Sequence, residues 1–322
     1  MQEMIRQKAV ELLRSGKVNR VLAWKDGEFF YDPTPFVFTD EKSLEKLVYN
    51  GFTAANLSKY LVKETRKDGV IAVFLKPCDT YSFSQLLKEH RIRRENVWAV
   101  GIPCEGKLDV ERLRQSGVRG ILSVEEKEDT LIVSTVYGEK KIARDNALSL
   151  RCAMCKSKKH VLFDELLGDE GEVLDSPRFD EVAHLENMTE EERFLFWQKE
   201  LSRCIRCNAC RNVCPACTCE NCVFDNPKSG IASKAPASSF EEQNFHIIRA
   251  FHVAGRCTDC GECSRVCPQK IPLHLLNRKF IKDINAFYGT YQAGENPDEP
   301  APLLHFEKDD REPGTFDGKG AK

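Results

Sequence analysis

Residues 204–215 read Cys-Ile-Arg-Cys-Asn-Ala-Cys-Arg-Asn-Val-Cys-Pro, and residues 257–268 read Cys-Thr-Asp-Cys-Gly-Glu-Cys-Ser-Arg-Val-Cys-Pro. Both runs follow one spacing, C-x2-C-x2-C-x3-C-P. Three thiolates at x2 intervals can wrap three irons of one cubane. The Pro after the fourth steers the chain away, so that this thiolate reaches the other cluster. The spacing therefore predicts two [4Fe–4S] clusters with exchanged fourth ligands. Cys204, Cys207, Cys210 and Cys267 hold the first, and Cys257, Cys260, Cys263 and Cys214 hold the second. A pair of zinc sites would use Cys-x2-Cys chelates in tetrahedral pairs, not triplets with a remote Pro-flanked thiol. Ala209 and Gly261 are small enough to leave backbone N–H groups free to point at sulfur.

This is the spacing of bacterial ferredoxins, so residues 203–288 are expected to form a ferredoxin-like dicluster domain with flanking helices. The chain holds 15 cysteines, 11 of them between Cys204 and Cys267. The count is odd, the chain is long and no export signal is visible, which argues against a disulfide framework. The 42 residues between Cys214 and Cys257 include Cys217, Cys219 and Cys222. Cys152-Ala-Met-Cys155 is the remaining x2 pair. A third [4Fe–4S] cluster is expected on Cys152, Cys155, Cys219 and Cys222, with Cys217 as an alternate ligand or a thiol near a cluster. A structural zinc on the same two chelates is the alternative, and reduced unligated thiols are a further one. His160, five residues after Cys155 in Lys-Ser-Lys-Lys-His, is a weak alternative ligand and reads rather as a solvated surface residue.

Upstream, residues 1–148 read as an α/β domain. A helix is expected at 2–15, then a hairpin pairing 18–24 with 28–31 around Asp26-Gly27. Helical stretches follow near 40–49 and 54–66. Residues 69–76 and 96–103 are continuous apolar runs, the mark of strands covered on both faces. With a helix at 79–90 between them they form a βαβ unit in a small mixed sheet. Short strands in 120–143 are expected to close the domain. Cys78 and Cys104 each follow one of the two apolar strands, where open α/β sheets bind ligands. They are candidate cofactor-binding residues, expected on one crevice facing the third metal site or a partner's cofactor, with ordinary buried thiols as the alternative. Residues 149–202 read as a connector ending in a helix capped by Thr189. Further helices are expected near 239–254 and 272–287. Residues 289–322, with five Gly and four Pro, read as an extended or disordered tail.

Among 322 residues, 48 Lys and Arg against 50 Asp and Glu give a net charge of −2. A chain so near neutrality lacks the basic field that nucleic acid or an anionic membrane requires. The longest apolar run, Val70–Leu75, is too short to span a bilayer. The N-terminus mixes both charge signs without an apolar segment, so a cytoplasmic address is expected. No phosphate loop, no G-x-G-x-x-G and no nucleophilic triad spacing occurs, so no catalytic residue is assigned.

The segments KPCD (76–79), VGIPCEGKLD (100–109), RCAMC (151–155), FDELLG (163–168) and CIRCNACRNVCPACTCENC (204–222) together resemble the beta subunits of coenzyme F-420 (deazaflavin) hydrogenases and dehydrogenases. They are also similar to the iron–sulfur subunits of heterodisulfide-reductase-like complexes in anaerobes. The resemblance covers about residues 18–288. It implies an electron-transfer subunit of a cytoplasmic, multi-subunit anaerobic oxidoreductase rather than a stand-alone enzyme. The implied partners are a flavoprotein, a hydrogenase or dehydrogenase, or a heterodisulfide-reductase-like subunit. Some relatives carry a flavin. The alternative function is therefore an FAD-bearing reductase, deazaflavin- or nicotinamide-linked, that itself converts hydride to one-electron transfer.

Overall fold

In the computed structural model, residues 1–226, 228, 239–305 and 308 are described. Helix α1 (Gln2–Arg14) buries Ile5, Ala9 and Leu12, one stripe at helical spacing. Strand β1 (Arg20–Lys25) pairs antiparallel with β2 (Thr34–Phe38). The hairpin thus forms, but its second strand is 34–38 rather than 28–31. The aromatic run finds burial elsewhere: Phe30 and Tyr31 pack on Phe52, with centroids 5.6 and 6.3 Å away. Strand β2 takes the sheet edge, where Pro35 is tolerated. The two following helical stretches shorten to a 3-10 turn, Ser43–Lys46, and α2 (Ser58–Glu64).

Strand β3 (Ile71–Leu75), α3 (Pro77–Lys88) and β4 (Val97–Gly101) form the expected βαβ unit, with Ile71 opposite Val97 and Leu75 opposite Gly101 in parallel. All five residues of β3 are buried, as befits a central parallel strand. After α4 (Val110–Gln115), strands β5 (Ile121–Lys127), β6 (Thr130–Thr135) and β7 (Gly138–Ala143) make an antiparallel meander. This is a second sheet and does not close the first. The period of β6 explains the separation. Leu131, Val133 and Thr135 are buried while the residues between them are not. One wet face suits an antiparallel edge structure but not an interior parallel strand.

Helices α5 (Arg144–Ala147) and α6 (Leu150–Ala153) lead to β8 (Glu165–Leu166), which pairs parallel with β4. The first sheet is therefore β2-β1-β3-β4-β8, and the connector supplies one of its strands. Helices α7 (Asp180–Glu186) and α8 (Glu190–Ser202) follow. Thr189 and Glu192 form the capping box of α8. The cysteine region carries α9 (Ala209–Val213), α10 (Ser239–His252), α11 (Glu262–Arg265) and α12 (Leu273–Tyr288). Tyr291, Ala293 and Ala301 are buried with Ile284, so residues 291–294 and 301 pack where a loose tail was expected. The Tyr291 hydroxyl donates to the Gly255 carbonyl at 3.1 Å. The rest of the tail, 306–322 apart from 308, lies outside the described residues. Among the described residues, no helix is long and apolar enough to cross a membrane.

Phe74, fully buried in β3, is central to the largest core cluster. Phe74→Ala is expected to destabilise the fold by about 3–5 kcal/mol. Tyr137→Ala, at a site 82% exposed, should stay within about 0.5 kcal/mol of the wild type. Denaturant midpoints of the two variants check this.

Candidate iron–sulfur centre

The two cysteine runs share a backbone as well as a spacing. Arg206 and Asp259, each just before the second cysteine, have φ of 55° and 58°, and Asn208 and Gly261, each just after it, have φ of 61° and 67°. Left-handed residues at matched positions turn successive N–H groups inward around the thiols. The Arg206 N–H donates to Cys204 Sγ at 3.4 Å, and the Ile271 N–H to Cys267 Sγ at 3.5 Å. Such a conformation costs a non-glycine residue about 1–2 kcal/mol, and its recurrence three times outside glycine marks a functional demand.

All 15 cysteines are free of disulfides. One cavity is lined by Cys204, Cys207, Cys210 and Cys267, together with Phe245 and His246. The charge of Cys267 bears on Cys210. The charge of Cys214 bears on Cys257, Cys260 and Cys263 alike. The fourth cysteine of each run thus sits among the first three of the other. Burial pushes the Cys204 thiol up to about 12 and raises Cys210, Cys257, Cys260 and Cys263 too. Neutral thiols are what such burial enforces without a cation, and a metal would displace those protons. Cys214 alone among these is lowered, to about 6, chiefly by a hydrogen bond from Cys217.

The other cysteines fall into two neighbourhoods. Cys78 lies in the first turn of α3 and Cys104 three residues past β4, at the carboxyl edge shared by the two parallel strands. The charge of Cys104 bears on both Cys78 and Cys155. Leu108 bridges to Leu148, and Ser149 N–H donates to the Lys107 carbonyl at 2.9 Å. That pairing carries Cys152 back onto the Cys104 loop. Gly106, at φ +110°, lies so close that an added Cβ would stand 3.6 Å from Cys152 Cβ. Cys78, Cys104, Cys152 and Cys155 therefore share one neighbourhood. Cys219 lies instead among Lys59 and Arg256, and Cys222 beside Arg211. The Cys217 carbonyl accepts from Lys59, and the Thr218 carbonyl from Arg91.

Charged side chains line this edge of the sheet. Lys76 and Asp79 are fully buried and 2.8 Å apart, and Lys76 also donates to the Ala55 carbonyl at 3.0 Å. Burial lowers Lys107 to about 8 even though Cys104 nearby favours its charge. Burial raises Cys78 well above an ordinary thiol. For Cys152 burial acts the same way, yet Arg151, Ser149 and the Lys107 backbone together hold it below the ordinary value. Arg151 is the joint between the two cysteine neighbourhoods. It donates to the Cys260 carbonyl at 2.7 Å, to Glu262 at 2.6 Å and to the Ala54 carbonyl at 2.5 Å. Neither Arg151 nor Glu262 stood out in the sequence, although Arg151 directly precedes Cys152 and Glu262 lies inside the second run. His160 is buried rather than solvated, bonded to Glu170 at 2.7 Å and to the Ile102 carbonyl at 3.0 Å.

Comparison with known proteins matches residues 200–271 to a 4Fe–4S dicluster domain. A 4Fe–4S dicluster domain is present in this chain. The F420-dependent formate dehydrogenase subunit beta of Methanocaldococcus jannaschii is 24% identical, over 92% of this chain and 92% of its own length. The subunit beta of F420-dependent formate dehydrogenase 1 of Methanococcus maripaludis is 25% identical, over 91% and 90%. The resemblance read from the sequence to F420-linked beta subunits is borne out by these relatives. A chain of the F420-reducing [NiFe] hydrogenase complex from Methanosarcina barkeri, 13% identical, covers 63% of this chain and 86% of its own length at a TM-score of 0.40.

A Cβ on Gly261 would meet Arg151 Cβ at 2.7 Å, in a left-handed conformation besides. Gly261→Ala is expected to cost more than the about 1–2 kcal/mol of the backbone term alone, because it also pushes Arg151 off the Cys260 carbonyl. Asn208→Gly, at the matched position, should be near neutral. Thermal midpoints of the anaerobically prepared variants check the contrast.

Proposed function

We propose that this chain is the iron–sulfur electron-transfer subunit of a multi-subunit dehydrogenase or hydrogenase, holding three [4Fe–4S] clusters. Two lie in the dicluster domain with exchanged fourth ligands, as the mutual placement of Cys214 with Cys257, Cys260 and Cys263 supports. The third takes Cys78, Cys104, Cys152 and Cys155. This set replaces the expected pairing of Cys152 and Cys155 with Cys219 and Cys222. What supports it is the gathering of those four thiols at one sheet edge, with Arg151 tying them to the Cys260 carbonyl. The donor chemistry fits: buried cysteine thiols, which lose their protons to bound metal, suit iron–sulfur clusters.

When bound, the clusters supply one-electron capacity at potentials set by ligation, hydrogen bonds to sulfur and burial. The chain's own residues do the rest. Left-handed turns at 206, 208, 259 and 261 aim N–H groups at sulfur. Leu201, Ile271 and Leu273 exclude water around Cys210, Cys263 and Cys267. Cys207 is exposed, which leaves one side of the first site open to a partner. The relatives' names carry the reading to a redox complex linked to deazaflavin.

Anaerobically purified protein is expected to hold about 12 iron per chain and no stoichiometric zinc. Cys104→Ala should fall to about eight iron, while Cys219→Ala and Cys222→Ala keep the full complement. Iron lost with Cys219 and Cys222 but kept with Cys104 would return the third site to the other set. A stoichiometric flavin released by acid would favour the FAD-bearing reductase. Cys267→Ala should spoil the EPR signal of the first cluster and spare that of the second; the reverse would overturn the exchange of ligands.

A further inference from the structure

Helix α10 lies between the two cysteine runs in sequence and packs on α8 and α12. Its inward face carries three polar residues beside Phe245 and Ala250: Glu242, His246 and Arg249 recur at helical spacing and are 3%, 1% and 1% exposed. Glu242 pairs with Arg206 at 3.3 Å. Arg249 is different. Its Nε, Nη1 and Nη2 are all buried without a hydrogen-bond partner, and among the described residues no carboxylate pairs with it. Other deeply buried arginines are provided for. Arg151 has Glu262, the Cys260 carbonyl and the Ala54 carbonyl. Arg278 has Asp259 at 2.8 Å.

A buried guanidinium that lacks both carboxylate and carbonyl is costly unless some other anion compensates it. The groups whose charge bears on Arg249 are Cys263, Cys210, Cys214 and Cys217. Cys210 belongs to the first cluster set, and Cys263 and Cys214 to the second. Five N–H donors in a planar fork can serve sulfur on two sides at once.

Resting on the dicluster reading above, we propose that Arg249 is a positioning residue for electron transfer: with the clusters bound, its guanidinium would donate to sulfur of both and raise both reduction potentials. Each cluster gains one electron and no proton on reduction, so the reduced form is the more negative and a fixed cation beside it favours that form. One residue thereby keeps the two potentials together, which a relay needs for electrons to pass in either direction.

The test is an EPR-monitored redox titration of the full chain, purified anaerobically, as wild type, Arg249→Met and Arg249→Lys. All three are expected to keep the same iron content. In Arg249→Met both dicluster potentials should fall by at least a tenfold change in the reduced-to-oxidised ratio, about 59 mV for one electron. Arg249→Lys should recover most of that, and the cluster on Cys78, Cys104, Cys152 and Cys155 should not move. Intact clusters with unchanged potentials in Arg249→Met overturn the proposal. Should that variant fail to assemble, the wild type decides the matter. With arginine labelled with 15N in its guanidino group alone, pulsed EPR of the reduced clusters should show nitrogen coupling that disappears in Arg249→Lys, and its absence from the wild type overturns the proposal. A wild type without two reducible clusters would overturn the dicluster reading itself.

Discussion

A single buried carboxylate holds the two halves of this molecule in register. Glu262 is fully buried and takes Arg151 at 2.6 Å and Arg265 at 2.7 and 2.8 Å, while the Asn56 N–H donates to it at 3.2 Å. Burial alone would raise its pKa, but Arg265 and Arg151 outweigh that and hold it at about 2. Removing one member of such a network leaves an uncompensated buried charge, a loss of about 3–5 kcal/mol. Glu262 stands between Cys260 and Cys263, and Arg151 stands beside Cys152. The same contacts that lock the domains therefore fix the separation between two groups of thiols. A relay needs that distance constant, and a buried ionic network is far stiffer than a surface pair.

Around this joint the domains meet through polar groups rather than a continuous apolar core. Asn56 donates to Ser82 at 3.0 Å, Ser82 meets Thr258 at 2.9 Å, and Lys156 donates to the Thr258 carbonyl at 3.3 Å. Burial drops Lys156 to about 7 although Asp259 nearby favours its charge. Its ammonium also sits 3.8 Å from the Tyr81 ring centroid. Apolar clusters lie on either side of this seam, one on the parallel sheet and one around Cys210 and Cys263. Each half buries its own core, and the directional bonds between them specify one arrangement.

Cations gather wherever thiols gather. Lys59 faces Cys214 and Cys217, Lys107 faces Cys104, Arg151 faces Cys152 and Cys78, and Arg249 faces Cys210 and Cys263. The near-zero net charge conceals this local excess. Thiolate sites are anionic, and in a low-dielectric interior they require cations within a few ångströms. Helix α10 shows the consequence for patterning. Its inner face carries Glu242, His246 and Arg249, while Phe240, Ile247 and Phe251 are exposed. Phe245 and Ala250 are buried beside those three, so the inner face mixes charged and apolar groups where it meets the cysteines.

The sequence by itself determined the dicluster domain, because thiol spacing along a few residues is set by cubane geometry and needs no tertiary information. It also determined the βαβ unit, since two apolar runs too short for buried helices, each followed by Pro, mark covered strands. The strand at 34–38 in place of 28–31 was not legible, because Phe30 and Tyr31 could satisfy their burial off the sheet as well as on it. The meander at 121–143 was legible as strands but not as a second sheet, since the partner of a strand is a long-range choice. The surroundings of Cys152 and Cys155 were the largest matter left to the tertiary structure. Spacing favoured Cys219 and Cys222, the other x2 pair in the chain. The parallel register of β3 and β4 instead brings Cys78 and Cys104 to one edge, and the Leu108–Leu148 bridge folds the connector onto it. Arg151, Glu262 and Arg249 carry no motif at all: their roles come from burial and from what each one faces, and only the folded chain supplies those.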